Sequence, residues 1–174
     1  MPVLILRLPW SAWRARSKPP LALNETSVVT YRVRPTDTDW YGHMNNGRFL
    51  TNMDLGRTDY CARTGLIKVF TKLRWRPVVA GSTVRFRRSL SPLTKYTMST
   101  RLMGFNDDWW FFEQMLHDSR GKLACHAWMK IAVMKDGGRG GRVKPAEAID
   151  SLGYDGPPLV LPEGIDAWLS TGVS

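Results

Sequence analysis

Cysteine is scarce in this chain. Cys61 and Cys125 are the only two in 174 residues, they stand 64 positions apart, and no spacing marks a metal or redox pair. A disulfide framework is excluded, and a reduced, cytoplasmic setting is expected. Long apolar runs are missing too. The run Val3 to Leu8 is interrupted by Arg7 and closed by Pro9, well short of the ~20 apolar residues a spanning helix needs. No small-residue cleavage site follows, so a secretory leader is not expected. Acidic residues are outnumbered, 15 against 25 Lys and Arg, which leaves a formal net charge of +10. That excess implies attraction to something anionic, with nucleic acid, lipid headgroups and a phosphorylated cofactor all open on charge alone. No repeat and no compositional break marks a second domain. The length and the 43% hydrophobic content suit one globular domain with a sizeable core.

Residues 1–26 read as an N-terminal tail that packs loosely on the domain. Trp10, Trp13 and the basic Arg14, Arg16 and Lys18 also suit a weak contact with a membrane surface. Regular structure begins at Ser27. Val29, Tyr31 and Val33 alternate with Thr30, Arg32 and Arg34, which predicts a strand ended by Pro35. After a polar turn, Phe49, Met53, Gly56 and Tyr60 recur at four, three and four, one face of a long helix stopped near Gly65. Gly56 in its interior predicts that something packs closely there.

From Arg74 to Lys135 the chain reads as strands joined by turns at Ser91 to Thr94, Asn106 to Asp108 and Asp118 to Gly121, with an irregularity at Ala80-Gly81. The dense aromatic run Trp109 to Phe112 suits core and dimer packing or the lining of a ligand channel. The glycine and arginine run from Asp136 to Arg142 reads as a mobile loop, Pro145 opens a short helix, and 151–174 form an extended strap with one last helical turn at Ile165 to Leu169. One strand, one long helix and then an antiparallel meander of strands describe an α+β fold with the helix lying on a curved sheet of about five strands.

Chemistry concentrates in the turn Arg34 to Asn46, where Asp37, Asp39, His43, Asn45 and Asn46 crowd beside a helix start. If the segment is extended, Asp37 and Asp39 point the same way. Free N–H groups and the positive helix end gather at Gly42 to Asn46 and suit a developing oxyanion. Asp39 is placed to act as nucleophile or general base, with His43 orienting it or moving a proton. Asp37 reads as a turn or capping residue. Asp54 is either a second acid or a local partner of Arg57. Arg85, Arg87 and Arg88 suit phosphate contacts or a solvated strand face. His117 and His126 have no partner in sequence. No metal site is implied, and no stretch joins a basic face to stacking aromatics as single-strand nucleic-acid binders do.

The string Asp37-Thr38-Asp39-Trp40-Tyr41-Gly42-His43-Met44-Asn45-Asn46-Gly47-Arg48-Phe49-Leu50, followed by Asp54-Leu55-Gly56-Arg57, resembles the hotdog-fold acyl-CoA thioesterases of the 4-hydroxybenzoyl-CoA thioesterase type. Arg63 to Leu66, Phe86 to Leu90 and Val143 to Glu147 extend the likeness to the thioesterase superfamily member 6-like group. The resemblance implies a long central helix wrapped by the sheet, pairing into homodimers or homotetramers, and sites at the subunit interface. It implies hydrolysis of an acyl-CoA or acyl-carrier-protein thioester without a cofactor, coenzyme A entering as part of the substrate. Asp39 matches the second aspartate of the family's Asp-x-Asp turn, and His43 the histidine of the related plant acyl-carrier-protein thioesterases. An asparagine and a glutamate of those plant enzymes fall at Tyr41 and Ser89. A protein that binds acyl thioesters or lipids with little or no turnover is the alternative.

Overall fold

A computed structural model describes residues 2–159, 161, 163–165 and 168. The first element is helix α1, Pro2–Ala15, where the sequence reading expects a loosely packed tail. Arg7, Ser11 and Ala15, spaced at i, i+4 and i+8, are all buried. This narrow stripe with two small side chains lets the backbone approach helix α2, Asn46–Arg63. Ser11 Oγ donates to the Leu55 carbonyl at 3.1 Å. Beyond the helix, Lys18 pairs with the buried carboxylate of Asp59, which also accepts from Ser27 Oγ at 2.7 Å. The segment is therefore docked through polar contacts that no local pattern announces.

Strand β1, Ser27–Arg32, alternates buried Val29 with exposed Val28 and Thr30. A 3-10 turn at Pro35–Asp37 leads toward α2. On α2 the predicted face, Phe49, Met53, Gly56 and Tyr60, is buried. A Cβ on Gly56 would lie 2.4 Å from Met98 Sδ, 2.8 Å from Thr100 Oγ1 and 3.0 Å from Gln114 Nε2. Helix and sheet meet there as closely as the glycine implied. Thr64 ends α2, and Gly65, at φ 84°, turns the chain into helix α3, Leu66–Lys72. The sequence reading did not expect this helix, although Leu66 and Phe70 bury at the i, i+4 spacing.

Strands β2 (Arg76–Phe86), β3 (Lys95–Phe105), β4 (Trp110–His117) and β5 (Leu123–Met134) form the meander. The sheet order is β1-β3-β4-β5-β2, and each pairing is antiparallel. The register slips between Val79 and Gly81, at the predicted irregularity. Part of the expected loop after β5 is a 3-10 turn, Lys135–Gly138, and the sixth strand β6, Arg142–Val143, which pairs with β5. Helix α4, Pro145–Leu152, follows.

The core lies between α2 and one sheet face, with Met98, Leu102, Phe112, Leu116 and Met129 buried in it. On the other face Ile165 and Trp168 cover Phe111 and Trp128. Residues 165 and 168 are helical, and the remainder of the turn expected at Ile165 to Leu169, with most of the terminal strap after 159, lies outside the described residues. No helix among the described residues is long and apolar enough to cross a membrane.

Candidate active site

Pro35 cannot continue the ladder of β1, and the 3-10 turn it opens sends the two aspartates apart. Asp37 is buried, accepting the Arg34 backbone N–H at 3.2 Å and facing the Arg7 guanidinium at 3.5 Å. Asp39 lies one step on, half-buried, accepting the Tyr41 N–H at 3.0 Å. The segment is not extended at Asp37, so the two carboxylates do not share one environment. Their roles separate: Asp37 anchors the turn and Asp39 stays accessible.

A small hydrogen-bonded loop carries the remaining candidates. Thr38 bridges Met44. The Asp39 N–H donates to the His43 carbonyl at 3.0 Å, and the Gly42 N–H to the Asp39 carbonyl at 3.1 Å, with Gly42 at φ 74°. Trp40 and Tyr41 form the loop tip, 102% and 85% exposed. The stem is held by Met44 N–H to the Leu90 carbonyl at 2.8 Å and Asn45 N–H to the Asp37 carbonyl at 2.9 Å. Asn45 is the N-cap of α2, its side chain accepting the Gly47 N–H at 2.9 Å and its carbonyl the Arg48 N–H at 2.8 Å.

This geometry narrows the oxyanion expectation. The N–H groups of Gly42 and Asn45 are engaged inside the loop and that of Met44 by the Leu90 carbonyl, whereas those of His43 and Asn46 have no partner among the described residues. The His43 ring is exposed, and no hydrogen bond joins it to Asp39 among the described residues. The loop thus brings Asp39, His43, Asn45 and Asn46 to one corner without pairing acid and imidazole.

Asp54 is not at that corner. It pairs with Arg57, whose Nη1 also donates to Gln114 Oε1. Burial pushes the Asp54 carboxyl above its usual range despite Arg57. Both line a cavity of about 430 Å³ walled by Leu66, Phe70, Trp75, Trp110, Phe112 and Ile131, and no residue of the loop lines it. The cavity also exposes Cys61, whose thiol burial pushes up to about 12. Strand alternation divides the aromatic run: Trp110 and Phe112 face this cavity, while Phe111 and Trp109 lie in the outer-face cluster. The Arg142 guanidinium sits 3.9 Å from the Trp109 ring centroid.

Arg85, Arg87 and Arg88 are exposed and form no ion pair among the described residues. Arg87 and Arg88 both donate through their backbone to the Ala124 carbonyl. Phe86 packs edge-on against Phe49, ring centroids 5.4 Å apart, which puts this end of β2 beside the first turn of α2. Strand alternation turns Arg85 to the opposite side of the sheet from Phe86, and Arg87 and Arg88 lead on toward Leu90, whose carbonyl holds the loop stem. His126, which the sequence reads as structural, contacts Glu113 at 2.9 Å. That pair needs β4 and β5 in register, which no local signal gives. The cavity wall from α3 was legible in the Leu66 and Phe70 spacing and was missed. No group of three or more His, Cys, Asp or Glu among the described residues forms a metal cluster.

The sequence pattern of the thioesterase-like superfamily matches residues 33–169. Protein THEM6 of Xenopus laevis is 38% identical over 82 residues, 47% of this chain and 40% of that protein. A probable thioesterase of Saccharomyces cerevisiae is 25% identical over 134 residues, 74% of this chain and 55% of its own. The chain spans about half the length of these curated relatives. Among solved structures, the DHNA-CoA thioesterase of Staphylococcus aureus superposes with a TM-score of 0.64 at 16% identity, covering 74% of this chain and 91% of that one. The likeness extends to the hotdog architecture of long helix and antiparallel sheet.

Proposed function

The chain belongs to the thioesterase-like superfamily, and from that premise we propose that it hydrolyses an acyl-CoA or acyl-carrier-protein thioester at the Asp39 corner. The observation that carries this reading is the accessible Asp39 carboxylate, held by the Tyr41 N–H beside two unpartnered N–H groups. As general base, Asp39 takes a proton from water as the water oxygen attacks the thioester carbon. The carbonyl oxygen becomes an oxyanion facing the N–H groups of His43 and Asn46. Collapse breaks the C–S bond, and the thiolate leaves with a proton from the protonated Asp39 or from His43. Direct attack by Asp39, with an anhydride then hydrolysed by water, uses the same atoms.

The surroundings supply the rest. Arg85, Arg87 and Arg88 offer charge to the coenzyme A phosphates. The family relatives named as thioesterases, and the structurally similar DHNA-CoA enzyme, support the substrate class. A second copy of this chain pairs along the exposed strand β2, at whose Phe86 end the loop's corner lies.

The test is thiol release from short, long and aromatic acyl-CoAs. Asp39→Asn is expected to lower kcat about 10²- to 10⁴-fold, and His43→Ala to lower it less, with far-UV circular dichroism unchanged. An Asp39→Asn rate equal to wild type removes Asp39 from the mechanism. The second reading is a binding protein without turnover. It draws on the absence, among the described residues, of a hydrogen bond between the Asp39 and His43 side chains, and on the exposed Ser89, where plant enzymes carry a glutamate. Saturable acyl-CoA binding with no thiol release across the panel selects it.

A further inference from the structure

A groove of about 330 Å³ runs between α1 and β1, at the opposite edge of the sheet from β2. Five of its eight lining residues are cationic, Arg7, Arg14, Arg32, Arg34 and Lys95, and none is acidic. Arg7 has a carboxylate partner, Asp37. Arg14, Arg32, Arg34 and Lys95 form no ion pair among the described residues. Arg32 and Lys95 stand directly opposite each other in the β1–β3 register. Like charges so placed destabilise a sheet, and an anion in the groove would relieve the repulsion. Tyr31 lines the groove, and behind it the buried Tyr96 hydroxyl has no hydrogen-bond partner.

The aromatic side chains decide which anion fits. Trp10 walls the groove with the Arg14 guanidinium 5.4 Å from its ring centroid, and Trp13, 67% exposed, stands three residues further along α1. A soluble phosphate ester would satisfy the cations and leave Trp13 in water. A lipid surface takes both, because indole rings partition to the headgroup level while cations hold the phosphates. We propose that the groove and the exposed side of α1 form a docking surface for membranes bearing anionic phosphate lipids, Arg14, Arg32, Arg34 and Lys95 engaging the phosphates and Trp10 and Trp13 entering the headgroup layer. The groove adjoins the turn through Arg7 and Arg34, which both contact Asp37, but Asp39 does not line it and docking there needs no turnover.

Co-sedimentation with vesicles of phosphatidylcholine, alone or mixed with phosphatidic acid, tests it on the full chain. Wild type is expected to partition preferentially to the mixed vesicles, and less so as salt rises. Arg14→Gln with Lys95→Gln should weaken partitioning at least about tenfold, each cation near an anionic surface being worth roughly fivefold. Trp13→Ser should weaken it while leaving the salt dependence unchanged. Lys68→Gln with Lys72→Gln on α3 removes the same charge from another exposed face and should change it little. Equal loss from the α3 pair would overturn the site by reducing it to bulk charge. So would no preference for phosphatidic acid, or tight binding of inorganic phosphate by protein that ignores vesicles.

Discussion

Glu113 gathers three donors onto one carboxylate of the outer sheet face. Arg101 Nε lies 2.6 Å from one oxygen, and His126 Nε2 and Trp128 Nε1 lie 2.9 and 3.3 Å from the other. Burial pushes this carboxyl up, but the hydrogen bonds from His126, Arg101 and Trp128 outweigh it and hold its pKa below the usual glutamate value. A carboxylate depressed in the folded state adds stability above its unfolded pKa, ~4.3, and loses it as pH falls through the folded value. Glu113→Gln is therefore expected to lower Tm at neutral pH, with the wild-type and variant curves converging below about pH 4. Parallel curves down to acid pH would show that the charge contributes nothing. The residue scale also shows what the Asp-x-Asp string conceals: two like carboxylates are sorted into anchor and accessible acid by one 3-10 turn.

Helix α2 is the element on which the rest is registered. Gln114 Nε2 donates to the Met53 carbonyl and to Thr100 Oγ1, both at 2.9 Å, and Gly56 leaves space for that clamp. Gly56→Ala would gain about 1 kcal/mol of helix propensity, yet its methyl would overlap Thr100 and Gln114, at an overpacking cost of about 1–3 kcal/mol. Met98 is flexible enough to move aside, whereas the clamped Thr100 and Gln114 are not. Net destabilisation of up to about 2 kcal/mol is expected in urea unfolding, and a stabilised variant would show that the sheet relaxes around the methyl. The helix was legible because its face repeats at 3.6 residues and its ends carry Asn45 and Gly65. Helix α1 was not, because Pro9 and the basic residues mask a stripe whose meaning depends on Leu55, 44 residues beyond Ser11.

On the scale of the molecule, β2 is the exposed end of the sheet, pairing among the described residues with β5 alone. Val78, Val79 and Phe86 are 49%, 45% and 43% exposed along it, and the loop tip adds Trp40 and Tyr41. An unpaired apolar edge favours strand addition, so self-association through β2 is expected. Val78→Asp should convert the assembly to monomers in sedimentation velocity and lower thiol release, while leaving far-UV circular dichroism intact. A wild-type chain that stays monomeric at micromolar concentrations would remove this interface.

Local chemistry alone determined the order of elements, the polar turn, the long helix and its close-packed glycine, because propensity, periodicity and turn residues act within a few positions of one another. Only the tertiary structure decided that Arg7 meets Asp37, that Asp54 faces a cavity away from Asp39, that Glu113 gathers three donors, and that cations from α1, β1 and β3 share one groove. Each of these joins residues far apart in the chain. Strand register and helix docking set such distances, and neither is written in the local pattern.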